Sequence, residues 1–311
     1  MPFPDHIHFL NQGDEPGDRV FINITRRGCG SGCSYCYIIS PAGPQVFVDD
    51  AALSNSAEAL LQSPYFRPGR NGTIVSLCPD SEPFKDERST EKVLCVLRAV
   101  LSLGNPVQIP TKEKVPEAAL EVISTHAYPN QVVLFTSFSS LAKAGKIEPR
   151  AAPVADRIRN FALARKHGVF VCMYLKPFLP ATLKDLDHVL QVLEAERPDA
   201  ICVGMLYTTT QQQDSAYTHP VHASLTARPL DDDFNTFVAA VKAQGLVPLF
   251  HSSVCVTAWA LDRIPMPHIW KEYPALCVNC RNCERDLQDR FSQSAVPSFT
   301  SPQPVYHVSL P

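Results

Sequence analysis

Short apolar runs rich in β-branched residues alternate with amphipathic helical stretches between residues 20 and 250. This alternation predicts parallel strands joined by crossover helices, because a parallel pair of strands needs a long return connection. Six such units follow one another, two fewer than the eight of a closed TIM barrel. The sequence therefore predicts an α/β fold, a partial (β/α)6 TIM-like barrel, with a small cysteine-rich C-terminal extension.

The sequence also gives expected bounds for these elements. The predicted strands are Val20–Thr25, Thr73–Leu77, Val107–Thr111, Gln131–Ser137, Val169–Leu175 and Ala200–Leu206, and a strand-like run follows at Leu246–Phe250. The predicted helices are Asp50–Gln62, Thr90–Leu103, Pro116–His126, Pro153–His167, Leu183–Glu196 and Asp231–Gln244. Thr90 is the expected N-cap of the second helix. We expect an N-terminal segment (1–18), the barrel (19–250), a cysteine-rich metal-binding segment (251–293) and an irregular tail (294–311).

Three cysteines directly follow the first predicted strand. Cys29, Cys33 and Cys36 can supply three of the four iron ligands of a cubane cluster, which leaves one iron open to a substrate. The alternative is a zinc site, since thiolates at these spacings also suit tetrahedral zinc. Zinc would need a fourth ligand nearby, but the next cysteine is Cys78. The spacing therefore favours an iron-sulfur cluster with an open iron.

This cysteine pattern resembles the signature of radical S-adenosylmethionine (SAM) enzymes. In that superfamily the amino and carboxylate groups of the methionine moiety chelate the open iron, and the residue before the third cysteine is usually aromatic. Tyr35 matches that position. The resemblance implies a 4Fe-4S cluster on Cys29, Cys33 and Cys36, SAM as the second cofactor, and a flavodoxin- or ferredoxin-like electron donor.

Between about residues 20 and 210 the order of features resembles the spore photoproduct lyase-like branch of that superfamily. The shared features are the cysteine loop, a cysteine-bearing end of the second strand, Thr111-Lys112, Thr136-Ser137, Ile147-Glu148-Pro149, Arg157 and Lys176-Pro177-Phe178-Leu179-Pro180. The resemblance implies that Cys78 returns a hydrogen atom to the substrate radical. It also implies that Lys112 and Ser137 help to hold the cofactor. The alternative for Cys78 is an inert, small core residue.

A second cysteine triplet lies near the C-terminus. Cys277, Cys280 and Cys283 are spaced by two residues each, and Cys255 is a reasonable fourth ligand in the bend after the last strand. An auxiliary 4Fe-4S cluster is the favoured occupant, and a structural zinc ion, which suits the same four thiolates, is the alternative. A non-enzymatic reading, in which both triplets simply bind iron-sulfur or zinc, also stays open.

Net charge and cysteine content favour certain substrates and a certain cellular compartment. The net charge is −3 and the basic residues are scattered, whereas a protein that grips a nucleic-acid backbone usually has clustered positive charge. A peptide or small metabolite is therefore the favoured substrate, and a nucleic acid or nucleotide the alternative. No membrane span or signal peptide is expected. Six of the 11 cysteines fall into the two triplets, which favours metal binding in a reducing, cytoplasmic compartment.

Overall fold

The computed structural model describes residues 4–10, 19–36, 45–204, 207–209, 225–227 and 232–262. The strands are β1 (Ile7–Leu10), β2 (Arg19–Ile22), β3 (Thr25–Arg27), β4 (Val46–Phe47), β5 (Ile74–Leu77), β6 (Val107–Thr111), β7 (Val132–Phe138), β8 (Phe170–Leu175), β9 (Ala200–Val203), β10 (Tyr207–Thr209), β11 (Leu225–Ala227) and β12 (Leu249–Phe250). The helices are α1 (Asp50–Ser54), α2 (Ser56–Leu61), α3 (Glu87–Leu101), α4 (Glu117–His126), α5 (Ala144–Ile147), α6 (Val154–Lys166), α7 (Pro180–Lys184), α8 (Leu186–Glu196), α9 (Asp232–Gln244) and α10 (Ser253–Ala260).

Eight strands form one sheet in the order β1-β2-β5-β6-β7-β8-β9-β12. The seven strands from β2 to β12 are parallel, and β1 pairs with β2 in the antiparallel sense. The two edges, β1 and β12, do not pair with each other in the described part of the chain, so the sheet is open. The predicted partial barrel is confirmed. The sequence analysis missed β1, which lies within the predicted N-terminal segment.

The helices differ from their predicted bounds at several ends. The second predicted helix begins at Glu87, and its N-cap is Asp86, whose carboxylate accepts a hydrogen bond from the Ser89 amide at 2.7 Å. The Thr90 prediction was therefore wrong, because a carboxylate four residues earlier already satisfies a free amide of the first turn. Two of the predicted helices are each divided into two short helices, α1 with α2 and α7 with α8.

Side chains alternate across the two faces of the sheet, as the pleat of a strand requires. One face packs against helices α1 to α4, α6, α8 and α9 in the main apolar core. The opposite face, which lines the inside of the partial barrel, carries a second cluster that includes Phe135, Cys172, Cys202 and Phe250, packed against Val256 of α10. Helix α10 therefore lies on the inner face of the sheet.

Helix α10 was not predicted. It begins at Ser253 and is fixed by Gln108 of β6, whose side-chain amide donates to the Ser253 carbonyl at 3.0 Å and to the Thr257 hydroxyl at 2.8 Å. Arg19 of β2 donates to the Ser253 hydroxyl at 3.3 Å. Within the described ranges no helix has the length and apolarity to cross a membrane.

Candidate active site

The loop of residues 28–36, here called the cysteine loop, follows β2 and the short strand β3. Gly30 and Gly32 have φ angles of 74° and 63°, a left-handed conformation that glycine adopts without steric cost. The Cys36 amide donates to the Cys33 carbonyl at 3.1 Å and closes a tight turn between the last two cysteines. The cysteine loop therefore places Cys29, Cys33 and Cys36 beyond the carboxyl end of β2, the strand next to the edge strand β1.

The three thiols are reduced and partly exposed. Burial raises the pKa of Cys29 and of Cys33, and the Glu82 carboxylate adds to the effect at Cys29. Among the described residues no three His, Cys, Asp or Glu side chains are grouped as a metal ion requires, so the thiols are not held as a finished ligand set. The three thiols nevertheless fit an iron-sulfur cluster chemically, because cysteine thiolates on one short loop are the usual ligands of such clusters. Metal binding would also supply the charge that keeps them ionised.

Tyr35 ties the cysteine loop to the segment that follows β7. Its hydroxyl donates to Glu148 Oε1 at 2.6 Å, and the amide of Ser34 donates to the Ile147 carbonyl at 2.9 Å. Burial, followed by the Glu148 charge, raises the pKa of Tyr35 far above its usual value. The tyrosine therefore stays a hydrogen-bond donor at every physiological pH.

Glu148 in turn binds Arg157 of α6, whose Nη1 lies 2.6 Å from Glu148 Oε2. Both side chains are almost fully buried, with 0% and 1% of their surface exposed. The same guanidinium donates to the Ser137 carbonyl and to the Ala152 carbonyl, each at 2.9 Å. The pair is thus the kind of buried ion pair that is supported by further hydrogen bonds.

Lys112 lies at the carboxyl end of β6 and extends toward the cysteine loop, with its Nζ 5.9 Å from the centre of the Tyr35 ring. Burial alone would lower its pKa, but the nearby Glu148, Cys33 and Glu82 outweigh burial and raise it. The side chain is therefore a permanent cation among the predicted ligands. Such a cation is suited to a carboxylate of a cofactor.

Glu82 is a site residue that the sequence analysis missed. It is 4% exposed, and its carboxylate accepts a hydrogen bond from the Lys112 amide at 2.9 Å and another from the Thr111 hydroxyl. Burial raises the pKa of Glu82 to about 7. Its charge acts on Cys29, which places it beside the cysteine loop. Its position after β5, on the face that the fold predicts to be active, was the available signal.

Cys78 is buried in the loop directly after β5. Its amide donates to the Ile22 carbonyl of β2 at 2.8 Å, and its φ angle is 55°. Burial raises the pKa of Cys78 to about 12, and Cys29 lies close enough for its charge to contribute. Cys78 is therefore a neutral thiol beside the cysteine loop. This position is compatible with either the predicted hydrogen-atom donor or an inert core residue.

Ser137 is buried and lies on β7. It directly follows Thr136, which pairs with Thr111 of β6, just as Lys112 directly follows Thr111. This register places Ser137 beside Lys112 along the carboxyl edge of the sheet. The structure thus brings four predicted positions to one region, namely the cysteine loop, Cys78, Lys112 and Ser137.

Cys255, the predicted fourth ligand of the C-terminal metal site, lies in helix α10 and not in a bend. It is partly buried against the inner-face cluster. Cys277, Cys280 and Cys283 lie outside the described residues, so their grouping with Cys255 stays a prediction.

The fold is similar to the solved structures of spore photoproduct lyase and of Streptococcus suis SuiB. A spore photoproduct lyase variant with bound AdoMet and dinucleoside spore photoproduct superposes with a TM-score of 0.52 and 12% identity, over 70% of this chain and 73% of that chain. Streptococcus suis SuiB bound to S-adenosylmethionine gives a TM-score of 0.51 and 14% identity, over 81% of this chain and 55% of SuiB. SuiB bound to its precursor peptide SuiA gives a TM-score of 0.51 and 13% identity, over 85% of this chain and 51% of SuiB.

The chain thus spans about half the length of SuiB. No protein-family profile and no curated protein sequence matches it. At these identities the likeness establishes the fold, and the chemistry must be argued from the residues.

Proposed function

We propose that this protein is a radical SAM enzyme. The observation that carries the proposal is the position of the cysteine loop at the carboxyl ends of the parallel strands, with Lys112 beside it. In barrels of this kind the chemistry lies at that end of the sheet. The neighbouring structures with bound S-adenosylmethionine support the same cofactor.

In this proposal Cys29, Cys33 and Cys36 hold a 4Fe-4S cluster, and Tyr35, Lys112 and Ser137 border the S-adenosylmethionine site. When bound and reduced, that cofactor pair would supply the radical chemistry needed to remove a hydrogen atom from a substrate. The chain's own contribution is electrostatic and steric. Lys112 provides a fixed cation for the cofactor carboxylate, and the packed strand ends limit the access of water.

Cys78 is the proposed hydrogen-atom donor to the substrate radical: its S–H bond would break as a substrate C–H bond forms, and the thiyl radical left on sulfur would regain the thiol by taking one electron from the proposed electron donor and one proton from solvent. A thiol is suited to this step because its S–H bond is weaker than most C–H bonds. The high pKa keeps the hydrogen on sulfur through the physiological range. A buried thiol next to the cysteine loop is also shielded from competing oxidants.

The favoured substrate is a peptide or a small metabolite. SuiB bound to its precursor peptide provides a structural neighbour that takes a peptide, and the net charge of −3 is unsuited to a polyanion. A nucleic acid or nucleotide is the second candidate, because the spore photoproduct lyase neighbour holds a dinucleoside lesion. A flavodoxin- or ferredoxin-like protein is the proposed electron donor.

The test is anaerobic reconstitution with iron and sulfide, followed by reduction with dithionite in the presence of S-adenosylmethionine and chromatography for 5′-deoxyadenosine. Cys33→Ala should abolish the product. Cys95→Ala, at a half-buried cysteine of α3, is the matched control and should leave it unchanged. If an intact cluster yields no 5′-deoxyadenosine, the proposal is wrong.

Metal counts on the same sample address the proposed C-terminal site of Cys255, Cys277, Cys280 and Cys283. About eight irons per chain would indicate two four-iron clusters, and about four irons with one zinc would indicate a structural zinc. In Cys33→Ala the C-terminal metal should remain. Loss of both metals together would contradict the independence of the two sites.

A further inference from the structure

The stretch Ile147–Ala152, here called the docking segment, joins the cysteine loop to the rest of the barrel. It accepts the Ser34 amide at Ile147 and the Tyr35 hydroxyl at Glu148. A Cβ placed on Gly32 would lie 3.8 Å from the Arg150 side chain, an ordinary van der Waals distance, so this side chain lies near the cysteine loop. The cysteine loop therefore rests on the docking segment through two hydrogen bonds.

The docking segment is itself fixed to two strand ends that border the predicted cofactor site. The Ala152 amide donates to the Lys112 carbonyl at 3.1 Å, at the end of β6. Arg157 joins Glu148 to the Ser137 carbonyl, at the end of β7. A continuous set of hydrogen bonds thus runs from Tyr35 through Glu148 and Arg157 to Ser137.

Glu148 is the residue at which these contacts meet. One of its oxygens accepts from Tyr35 and the other from Arg157, both at 2.6 Å and both out of solvent. Charge-assisted hydrogen bonds of this length are the strong ones, and a buried partner left without its bond is costly. Glu148 therefore links the Tyr35 side chain to the strand ends through two strong hydrogen bonds.

We propose that Glu148 is a positioning residue, which holds the cysteine loop in a fixed place relative to Lys112 and Ser137. The inference rests on the proposed function for its catalytic meaning, but the loop contact itself can be tested without a cofactor. The hydrogen bonds of Glu148 go to Tyr35 and Arg157, and its charge also raises the pKa of Cys33. Its effect on the position of the loop would be transmitted by Tyr35, which directly precedes Cys36.

The test uses the full-length chain after removal of iron. Alkylation of each cysteine by iodoacetamide is followed by peptide mass spectrometry, with Cys95 as the internal reference. Tyr35→Phe removes only the hydroxyl and should accelerate alkylation of Cys36 about tenfold, the effect of one lost charge-assisted hydrogen bond on loop opening. Cys36 is the readout because the Tyr35 hydroxyl and the Glu148 charge also act directly on the pKa of Cys33. Glu148→Gln should act in the same direction, and the double variant should exceed neither single variant by more than about twofold.

The matched control is Tyr65→Phe, which also removes one phenol hydroxyl. The Tyr65 ring packs against Phe9, with 6.1 Å between the ring centres, and neither residue belongs to the cysteine loop. With the reconstituted protein, Glu148→Gln should raise KM for S-adenosylmethionine several-fold, whereas Tyr65→Phe should leave it unchanged.

Unchanged alkylation of Cys36 in both variants would overturn the positioning role, even if the wild-type protein cleaves S-adenosylmethionine. Equal acceleration at Cys95 would indicate general opening of the fold and would also count against it. If the variants accelerate loop alkylation while the wild-type protein forms no 5′-deoxyadenosine, the loop-positioning role is supported and the proposed function fails. Tyr35→Phe keeps the proposal testable if Glu148→Gln does not fold.

Discussion

The ammonium of Lys112 lies 5.9 Å from the centre of the Tyr35 ring, although 77 positions separate the two residues (112 − 35). The contact joins the end of β6 to the loop that follows β2 and β3, and it places a cation next to Cys29 and Cys33. Two strand ends that are not neighbours in the sheet therefore border one site.

Replacement of Lys112 by Met should weaken the binding of S-adenosylmethionine by about 10- to 100-fold, the loss expected for one charge-assisted hydrogen bond. Equilibrium dialysis of the reconstituted protein with labelled S-adenosylmethionine measures the change. Lys166→Met is the control, because Lys166 forms an exposed ion pair with Glu117 on the helical surface. Wild-type affinity in Lys112→Met would exclude Lys112 from the cofactor site.

Glu82 should make the stability of the iron-free protein depend on pH. Its pKa is raised from 4.5 to about 7 in the fold, so the unfolded chain releases this proton first as the pH rises. The stabilising contribution is therefore present below pH 4.5 and is lost as the pH rises through about 7. The loss is about 3 kcal/mol, from a shift of about 2.5 pH units.

Thermal unfolding of the wild-type chain and of Glu82→Gln between pH 5 and pH 8 measures this effect. The wild-type Tm should fall more steeply with pH than that of the variant, because a glutamine does not titrate. Parallel curves would show that Glu82 has an ordinary pKa.

The sheet was predictable because each central strand is an apolar, β-branched run followed by a helix, a local pattern that also fixes the parallel direction. Strand β1 was missed because Ile7–Leu10 is a run of only four residues that gains its strand character from pairing with β2. Helix α10 was missed because its apolar residues meet the inner face of the sheet, which no short-range pattern reveals.

The site was predictable to the extent that its residues lie in motifs. Cys29, Cys33, Cys36 and Tyr35 share one loop, and Lys112 and Ser137 end predicted strands. Glu82 and Glu148 were not assigned roles, because a lone glutamate in a loop is usually exposed. Their partners, the Lys112 amide and the Tyr35 hydroxyl, are distant in sequence, and only tertiary contact identifies them.

Gln108 should prove important for the placement of helix α10. Gln108→Ala removes the donor to the Ser253 carbonyl and to the Thr257 hydroxyl, in a region where both acceptors are largely buried. We expect the free energy of unfolding to fall by roughly 1–3 kcal/mol in urea titrations. Gln62→Ala is the control, since Gln62 is exposed and bonds to Glu58 one turn away. Equal stabilities of the two variants would contradict an anchoring role for Gln108.

Gly204, after β9, should not tolerate a methyl group. A Cβ at Gly204 would lie 2.8 Å from Cδ and 3.0 Å from Cγ of Lys176, so the lysine stem or the strand end would have to move. Overpacking of this kind costs about 1–3 kcal/mol, which urea titration of Gly204→Ala would measure. Gly145 in α5 is the matched control, because a Cβ there meets nothing within 4 Å and alanine favours the helix. Gly145→Ala should therefore be neutral or slightly stabilising, and a Gly204→Ala protein as stable as Gly145→Ala would show that Lys176 does not occupy the space above Gly204.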